Sequence, residues 1–216
     1  MKCLLIFFFI LPALAGKSQE LTADANTLLL LHFNNNTTGA AGELPVNSSN
    51  ISYAAGKHGN ALSVANNTTL RFDTTQNLKS TIGTIEFWIK LTSGGTAIGM
   101  EVTGGLSVDV GNYTRLLQNI FGGFGNPEAV LVANDLPLIG GWNHLAFTWG
   151  IGTMKVYHNG ARVASTIYNF QLQPALSQFF NIGSKWGGSN QMVGLLDELR
   201  ISNIIRTDQE LSLIHI

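Results

Sequence analysis

The sequence has almost no cysteine and little charge. Its single cysteine, Cys3, lies in an apolar run at the start of the chain, so disulfides and thiol chemistry are excluded from the rest. Charged residues make up 12% of the chain and the formal net charge is −1. The chain therefore lacks the basic patch that attracts nucleic acid or anionic lipid, and we expect no nucleic-acid partner.

Proline is also scarce, with 5 residues, whereas glycine is abundant, with 24. This balance is typical of many turns between short strands. The histidines are dispersed, and no His-x-His or His-x-x-x-His pattern occurs. The spacing therefore does not predict a zinc site.

The start of the chain has the pattern of an export signal. Lys2 precedes the apolar run 3–11, and Pro12 ends it. Residues 13–15 (Ala-Leu-Ala) then place small residues at the two positions that a signal peptidase reads. A membrane span needs about 20 apolar residues, so we expect no insertion into a membrane. We predict a signal in residues 1–19, cut after Ala15 or a few residues later, and a domain that is secreted or held at the cell surface.

Residues 211–216 resemble a frame translation of the transposase mosaic-end adapter used in sequencing libraries. The alternative is a genuine amphipathic tail. Under the adapter hypothesis, the native domain covers residues 20–210 and the natural protein can continue beyond them. The absence of a second domain from this sequence then carries no information.

Between the two ends, apolar and polar residues alternate in short runs. Every second residue from Ile85 to Ile89 is apolar, and residues 143–149 alternate in the same way. About a dozen such strands, with turn residues between them, predict an all-β antiparallel sandwich or barrel. The rhythm of strand and helix that a parallel sheet requires is missing.

Two turn and cap signals stand out. Asn159-Gly160 joins two alternating runs and is typical of a tight hairpin. Thr207, with Glu210 three residues later, forms a capping box that predicts the start of a helix.

Five stretches follow one another in an order that a known family shares. They are LLLLHFN (28–34), GKHGNAL (56–62), GTIEFWIK (83–90), WNHLA running on to VYHNG (142–160), and GLLDELRISN with the following Arg206 (194–206). Together they resemble the LamG-like jelly-roll branch of the concanavalin-A-like lectin/glucanase superfamily. The resemblance implies a two-sheet antiparallel jelly-roll sandwich over residues 20–210.

Because this family includes lectins, adhesins and accessory modules, the resemblance is less specific for function than for fold. It implies a secreted, non-catalytic carbohydrate-binding module whose partners are glycans or polysaccharides. One alternative is a structural or adhesive surface domain without a sugar site. Another is a glycoside hydrolase or polysaccharide lyase.

The hydrolase alternative depends on paired carboxylates about 5 Å apart. Glucanases of this superfamily carry them as a Glu-x-Asp-x-Glu-like run on one strand. The comparable strand here has Glu86, but Trp88 and Lys90 occupy the second and third positions. We therefore predict no catalytic residues.

Trp186 is the candidate sugar-stacking residue, because it lies in a loop of glycine and amide residues and tryptophan faces stack on pyranose rings. Asn190 and Gln191 in the same loop would add hydrogen bonds, and Phe124 lies in a second glycine-rich loop. These four residues form the predicted glycan site. The alternative is that the loops plug or cap the edge of the sandwich.

The resemblance also implies a structural Ca²⁺ near the ends of the first and last strands. Asp197 would supply a carboxylate, and Asn34 and the Gly59 region would supply carbonyls. Asn34 stands where many relatives carry Asp, which removes one formal charge. The alternative is that Asp197 accepts hydrogen bonds from backbone N–H groups. Glu198 and Arg200 point the same way on a strand and are expected to form an ion pair.

Overall fold

The computed structural model describes residues 19–100, 106–119, 128–168 and 177–214. In those ranges no helix is long and apolar enough to cross a membrane. The same ranges contain two short helices, α1 (Thr74–Asn77) and α2 (Asp208–Leu213), and fifteen strands: β1 (Thr27–Leu31), β2 (Asn47–Ser49), β3 (Ser52–Ala55), β4 (Asn60–Val64), β5 (Thr69–Asp73), β6 (Gly83–Ser93), β7 (Gly95–Met100), β8 (Leu106–Val110), β9 (Tyr113–Asn119), β10 (Glu128–Asn134), β11 (Asn143–Gly150), β12 (Thr153–His158), β13 (Ala161–Ile167), β14 (Phe179–Ile182) and β15 (Val193–Ser202).

The strands of the described ranges form two sheets. The larger has the order β13-β12-β11-β6-β15-β4-β3, with β1 paired to β15, and the smaller has the order β10-β9-β8-β7-β14-β5-β2. The ladders between these strands are antiparallel. The sheets do not close into a barrel, so the predicted two-sheet antiparallel jelly-roll sandwich is confirmed.

The main core lies between the two sheets. Alternate residues of β6 and β11 point into it, as the sequence pattern predicts, and Phe87 packs on Phe147 with ring centroids 6.1 Å apart. Trp149, also from β11, is fully buried. Burying a large apolar side chain contributes about 1.5–3 kcal/mol. A core of this kind stabilises the sandwich without a disulfide.

The predicted hairpin at Asn159-Gly160 joins β12 to β13. Both turn residues have positive φ, 48° and 78°, as a two-residue hairpin of type I′ requires. The sequence pattern misses β2, β3 and β9. The first two are short and mostly exposed, so they lack the apolar alternation that marks a half-buried strand.

The outer face of the larger sheet is covered by a third layer. Leu21 from the N-terminal segment and Ile214 after α2 form a buried cluster with Leu30 and Trp88, while Leu211 of α2 is buried against β11 and β12. Trp88 is therefore buried although it points away from the main core.

The helix in this layer begins where the sequence predicts. Thr207 and Glu210 form both hydrogen bonds of the capping box, and the helix continues through Leu213. The foreign origin of residues 211–216 stays a prediction.

Candidate functional site

The segment between β14 and β15, residues 184–191, crosses the outer face of the smaller sheet. We call it the cross-loop. The Thr96 N–H donates to the carbonyl of Asn190 at 2.7 Å, which fixes the loop to β7. At Gly99 the loop comes so close that a Cβ atom would lie 2.7 Å from the Ser184 carbonyl oxygen. Only glycine leaves room for this crossing.

On one side of the cross-loop is a polar recess of about 400 Å³, which we call the amide pocket. Its lining includes five amide side chains and one guanidinium, from Asn47, Asn50, Asn67, Arg71, Asn181 and Gln191. Arg71 Nε donates to Asn181 Oδ1 at 3.3 Å, which orients the floor of the pocket. Amides offer donors and acceptors side by side, the pattern that complements vicinal hydroxyl groups.

On the other side of the cross-loop is a recess of about 490 Å³, which we call the tyrosine pocket. Tyr113, with 68% of its surface exposed, lines it together with Asn112, Asn190 and the exposed Ile139. An exposed aromatic ring beside polar groups can stack on an apolar sugar face. The predicted site does not include Tyr113, because the prediction rested on the tryptophans and on the glycine-rich loop of Phe124.

Two residues of the predicted glycan site, Asn190 and Gln191, line recesses beside the cross-loop. Gln191 lines the amide pocket and Asn190 lines the tyrosine pocket, on opposite sides of the cross-loop. Trp186 begins a 3-10 turn, Trp186–Gly188, within that loop. Phe124 lies outside the described residues.

Both cross-loop amides also hold the loop in place. Gln191 accepts from the Asn67 N–H at 2.8 Å and donates to the Thr68 carbonyl at 2.7 Å. The side chain of Asn190 donates to the Thr96 hydroxyl at 2.9 Å. Their contribution to a site would therefore be to position the walls of the pockets as well as to bind.

Asp109 is the electrostatic centre of the tyrosine pocket. It accepts from Arg115 Nε at 2.7 Å and from the Thr96 hydroxyl at 2.6 Å, and Lys185 of the cross-loop lies 3.5 Å away. Burial raises the pKa of Asp109, but the Thr96 hydroxyl and the two cations outweigh it, so the pKa lies below its ordinary value. The carboxylate thus stays ionised and ties β8 to β9 and to the cross-loop.

The predicted calcium residues do come together, around the loop 56–60. Asp197 Oδ2 accepts from the N–H groups of residues 57 and 58 at 2.7 and 2.9 Å, and Oδ1 accepts from the Glu198 N–H at 2.9 Å. Asn34 Oδ1 accepts from the Asn60 N–H at 2.8 Å, and the Gly59 carbonyl accepts from the Gly56 N–H at 2.9 Å.

Each of these oxygen atoms thus accepts at least one backbone N–H group. For Asp197, this is the hydrogen-bonding alternative that the sequence left open. Burial raises the pKa of Asp197 to about 6 in spite of the three N–H donors. Calcium binding by Asp197, Asn34 and Gly59 stays a prediction.

Glu198 lies in a break of the sheet register. Its φ is +50°, and β15 shifts register against β6 between Asp197 and Arg200. The expected Glu198–Arg200 ion pair is therefore wrong, because alternation fails at this bulge. Glu198 instead lies 2.7 Å from His32 Nδ1, and burial raises the pKa of Glu198 to about 7.

Arg200 binds Glu86, which is fully buried on the outer side of the larger sheet. Arg200 Nη2 lies 2.6 Å from Glu86 Oε1, and His144 Nε2 lies 3.3 Å from Glu86 Oε2. Burial raises the pKa of Glu86, but the bonds to His144 and Arg200 outweigh it and leave the pKa below its ordinary value. This carboxylate therefore holds the sheet and its covering layer together and does not face a cleft.

Two antiparallel sheets packed face to face, with loops shaping one outer face, define a jelly-roll sandwich. A laminin G-type family model, described as concanavalin A-like lectin/glucanases superfamily, matches residues 59–212. The chain belongs to this superfamily. A search of curated proteins finds no significant match.

Solved structures share the fold at low sequence identity. Domain 4 of AbnA, a GH43 extracellular arabinanase from Geobacillus stearothermophilus in complex with arabinotriose, is 23% identical with a TM-score of 0.70, covering 90% of this chain and 100% of that domain. The binding domain of Paraclostridial Mosquitocidal Protein 1 is 12% identical with a TM-score of 0.71, covering 88% and 52%. The botulinum neurotoxin serotype C1 binding domain is 12% identical with a TM-score of 0.69, covering 88% and 51%. The chain thus spans about half of either toxin domain.

Proposed function

We propose that this protein is a secreted, non-catalytic carbohydrate-binding domain that holds its glycan on the outer face of the smaller sheet, in the two pockets beside the cross-loop. The observation that carries the proposal is the amide pocket. Its polar side chains come from β2, β5, β14 and the turns beside them, yet they converge on one recess. Convergent amides without a large apolar lining match a sugar better than an apolar ligand.

The amide pocket retains unused hydrogen-bonding capacity. Asn47 is exposed, and in the described part of the chain its amide takes part in no internal hydrogen bond. Tyr113 supplies the aromatic surface on the other side of the loop. A sugar bound here would find hydrogen-bonding groups and a stacking surface on one sheet face, which is how polar ligands with apolar ring faces are held.

The fold comparisons support the proposal by analogy. The arabinanase domain that shares the fold was solved with arabinotriose, so plant arabinan is a sensible first ligand to test. Fold alone does not assign a ligand. A wider polysaccharide panel therefore belongs in the same experiment.

The buried position of Glu86 supports a non-catalytic role. Hydrolases of this fold need carboxylates that reach the substrate, whereas both Glu86 oxygens face Arg200 and His144 inside the protein. The strand that the glucanase motif would use thus has its one carboxylate committed to structure.

The test is retention of the purified protein in native gels that contain soluble arabinan or other polysaccharides. Trp186→Ala, Tyr113→Ala and Asn47→Ala should each weaken retention, by about fivefold to tenfold in apparent Kd, since each removes one stacking or hydrogen-bonding group. Gln209→Ala, an exposed change on the opposite face of the molecule, should change nothing. Melting temperatures of Tyr113→Ala and Asn47→Ala should stay within a degree or two of wild type, about the shift expected for exposed residues.

Three results would contradict the proposal in different ways. Retention by wild type that survives all three changes would move the sugar site away from the cross-loop. No retention on any polysaccharide would favour the structural or adhesive alternative. Release of reducing sugar from a polysaccharide would show an enzyme.

A further inference from the structure

A compact group of metal-ligating side chains lies at the junction of β1, β15 and the N-terminal segment. One ligand atom from each of Glu20, His32 and Glu198 lies within 4.8 Å of the other two. His32 Nδ1 is 2.7 Å from Glu198 Oε1 and 3.6 Å from Glu20 Oε1. We propose that these three residues bind a divalent transition-metal ion, with Zn²⁺ as the best match.

The ligand types select the metal. One imidazole nitrogen and two carboxylate oxygens suit zinc and its first-row neighbours, whereas calcium takes oxygen ligands only. Zinc binds these atoms at about 2.0–2.2 Å, so its tetrahedral ligands are about 3.3–3.5 Å apart. The two distances from His32 lie on either side of that value. The distance between His32 Nδ1 and Glu198 Oε1 must lengthen by well under 1 Å to admit the ion. The partly exposed side chains of His32 and Glu20 can move that far.

Glu198 is already oriented for this role. Its Oε2 accepts from the Leu21 N–H at 2.6 Å, which leaves Oε1 directed at His32. Hydrogen bonds of this kind, which fix a ligand from behind, are typical of metal sites. His32 directly follows β1, and the β1–β15 ladder pairs Leu31 with Leu199, so the two fixed ligands are held by neighbouring strands.

The local charge also favours a cation. Glu198 and Asp197 are adjacent, fully buried carboxylates. Both carboxylate oxygens of Asp197 accept hydrogen bonds from backbone N–H groups, three in all. Asp197 therefore adds negative charge near the site without serving as a ligand of the ion. A divalent ion at the three ligands would neutralise this excess.

This set is distinct from the predicted calcium residues and from any pattern of neighbouring histidines. His32 and Glu198 are 166 residues apart in the chain, so local spacing could not reveal them. Three protein ligands leave one position of a zinc ion to water. Binding would also fasten Glu20, and with it the N-terminal segment, to the end of the β1–β15 ladder.

The test uses the full chain without a histidine tag, freed of metal with a chelator. Titration with Co²⁺ should give visible d–d absorption saturating at one equivalent, and Zn²⁺ should abolish the signal and raise the melting temperature. Glu20→Gln should weaken Zn²⁺ binding about tenfold or more, as expected for loss of one ligand. His32→Gln should remove the Co²⁺ spectrum. Asp135→Asn, an exposed carboxylate change elsewhere, should leave the affinity unchanged.

The proposal fails if wild type gives no Co²⁺ spectrum, or if His32→Gln and wild type bind Zn²⁺ equally. It also fails if Ca²⁺, but not Zn²⁺, raises the melting temperature. Should His32→Gln not fold, Glu20→Gln decides the question, because Glu20 is half exposed and its replacement leaves the core intact.

Discussion

At the scale of single residues, Asp109 shows how the outer face of the smaller sheet is held in shape. It is nearly fully buried at the base of the tyrosine pocket, where it faces Arg115, Lys185 and two hydroxyl groups. A carboxylate in this setting is stabilised in its ionised form, and the protein is stabilised wherever that form dominates.

Asp109→Asn should therefore make the protein less stable at pH 7 and less sensitive to acid. The folded pKa of Asp109 lies below its ordinary value. Its contribution to stability is thus complete above the unfolded pKa, near pH 4, and is lost as the pH falls through the folded pKa. We expect a loss of about 2 kcal/mol at pH 7 that shrinks as the pH falls below about 4, the unfolded pKa.

Urea unfolding at a series of pH values would measure this effect. Asp135→Asn is the control, since Asp135 is exposed, and its curve should follow wild type. An Asp109→Asn curve that runs parallel to wild type across the acid range would show that the ionised carboxylate is not what stabilises the pocket.

Residue identity predicted part of the candidate site. The glycine and amide pattern of residues 186–191 pointed to the cross-loop, and Asn190 and Gln191 do line the two pockets. The wall of the amide pocket opposite the cross-loop comes from β2, β5 and the turns beside them, more than 100 residues away in the chain. Such convergence is set by the packing of the sheets, so no local pattern in the sequence records it.

At the scale of elements, the loop 56–60 is the clearest case of a segment shaped by distant side chains. Asp197 and Asn34 supply the acceptors for three of its N–H groups. Gly59 has a φ of +57°, and a Cβ there would collide with Asn34 Oδ1. Its glycine is therefore required by both backbone conformation and space.

Gly59→Ala should destabilise the fold more than Gly42→Ala. Both glycines have positive φ, but no atom lies within 4 Å of a Cβ built on Gly42. Gly42→Ala measures the cost of the backbone conformation alone, about 1 kcal/mol. Gly59→Ala should cost about 1–2 kcal/mol more because Asn34 must move.

Thermal or urea unfolding of the two single variants, and of Gly59→Ala combined with Asn34→Ala, would separate the cost of the backbone conformation from the cost of the collision with Asn34. The double variant should recover part of the loss, because the colliding amide is gone. Equal destabilisation by Gly59→Ala and Gly42→Ala would mean that Asn34 does not confine the loop.

Strand periodicity predicted most of the elements and failed at one bulge. β6 and β11 contain the predicted alternating stretches, although β6 continues three residues beyond its pattern, to Ser93. The pattern could not reveal the positive φ of Glu198, which breaks the alternation of β15. At this bulge the side chain of Glu198 lies against His32, and the side chain of Arg200 lies against Glu86.

At the scale of the whole molecule, the sandwich has two very different outer faces. The larger sheet is sealed by the N-terminal segment and α2, with Leu21, Leu211 and Ile214 buried in the seam. The smaller sheet carries the pockets. The sealed face supports the fold, and the other face is where we propose that the glycan binds.

Leu211→Ala should destabilise the domain by about 2 kcal/mol or more, the usual cost of deleting a buried leucine side chain. Leu213→Ala is the matched control, because Leu213 is 52% exposed in the same helix. It should cost less than about 0.5 kcal/mol. Chemical denaturation of both variants gives the two free energies.

The comparison also bears on the origin of residues 211–216. A large loss for Leu211→Ala would show that this part of the chain is docked in solution. Two equally small losses would show that the tail contributes nothing to the fold, as the adapter hypothesis expects.

The placement of two recesses on either flank of one loop has a consequence for which sugars are held well. Asn190 and Gln191 are consecutive residues, yet each belongs to a different recess. Under the proposed function, a polymer long enough to straddle the loop would engage both at once, and the second contact would form at high effective concentration. A sugar too short to straddle the loop would reach only one. Chain length, more than the identity of any one sugar unit, would then decide affinity.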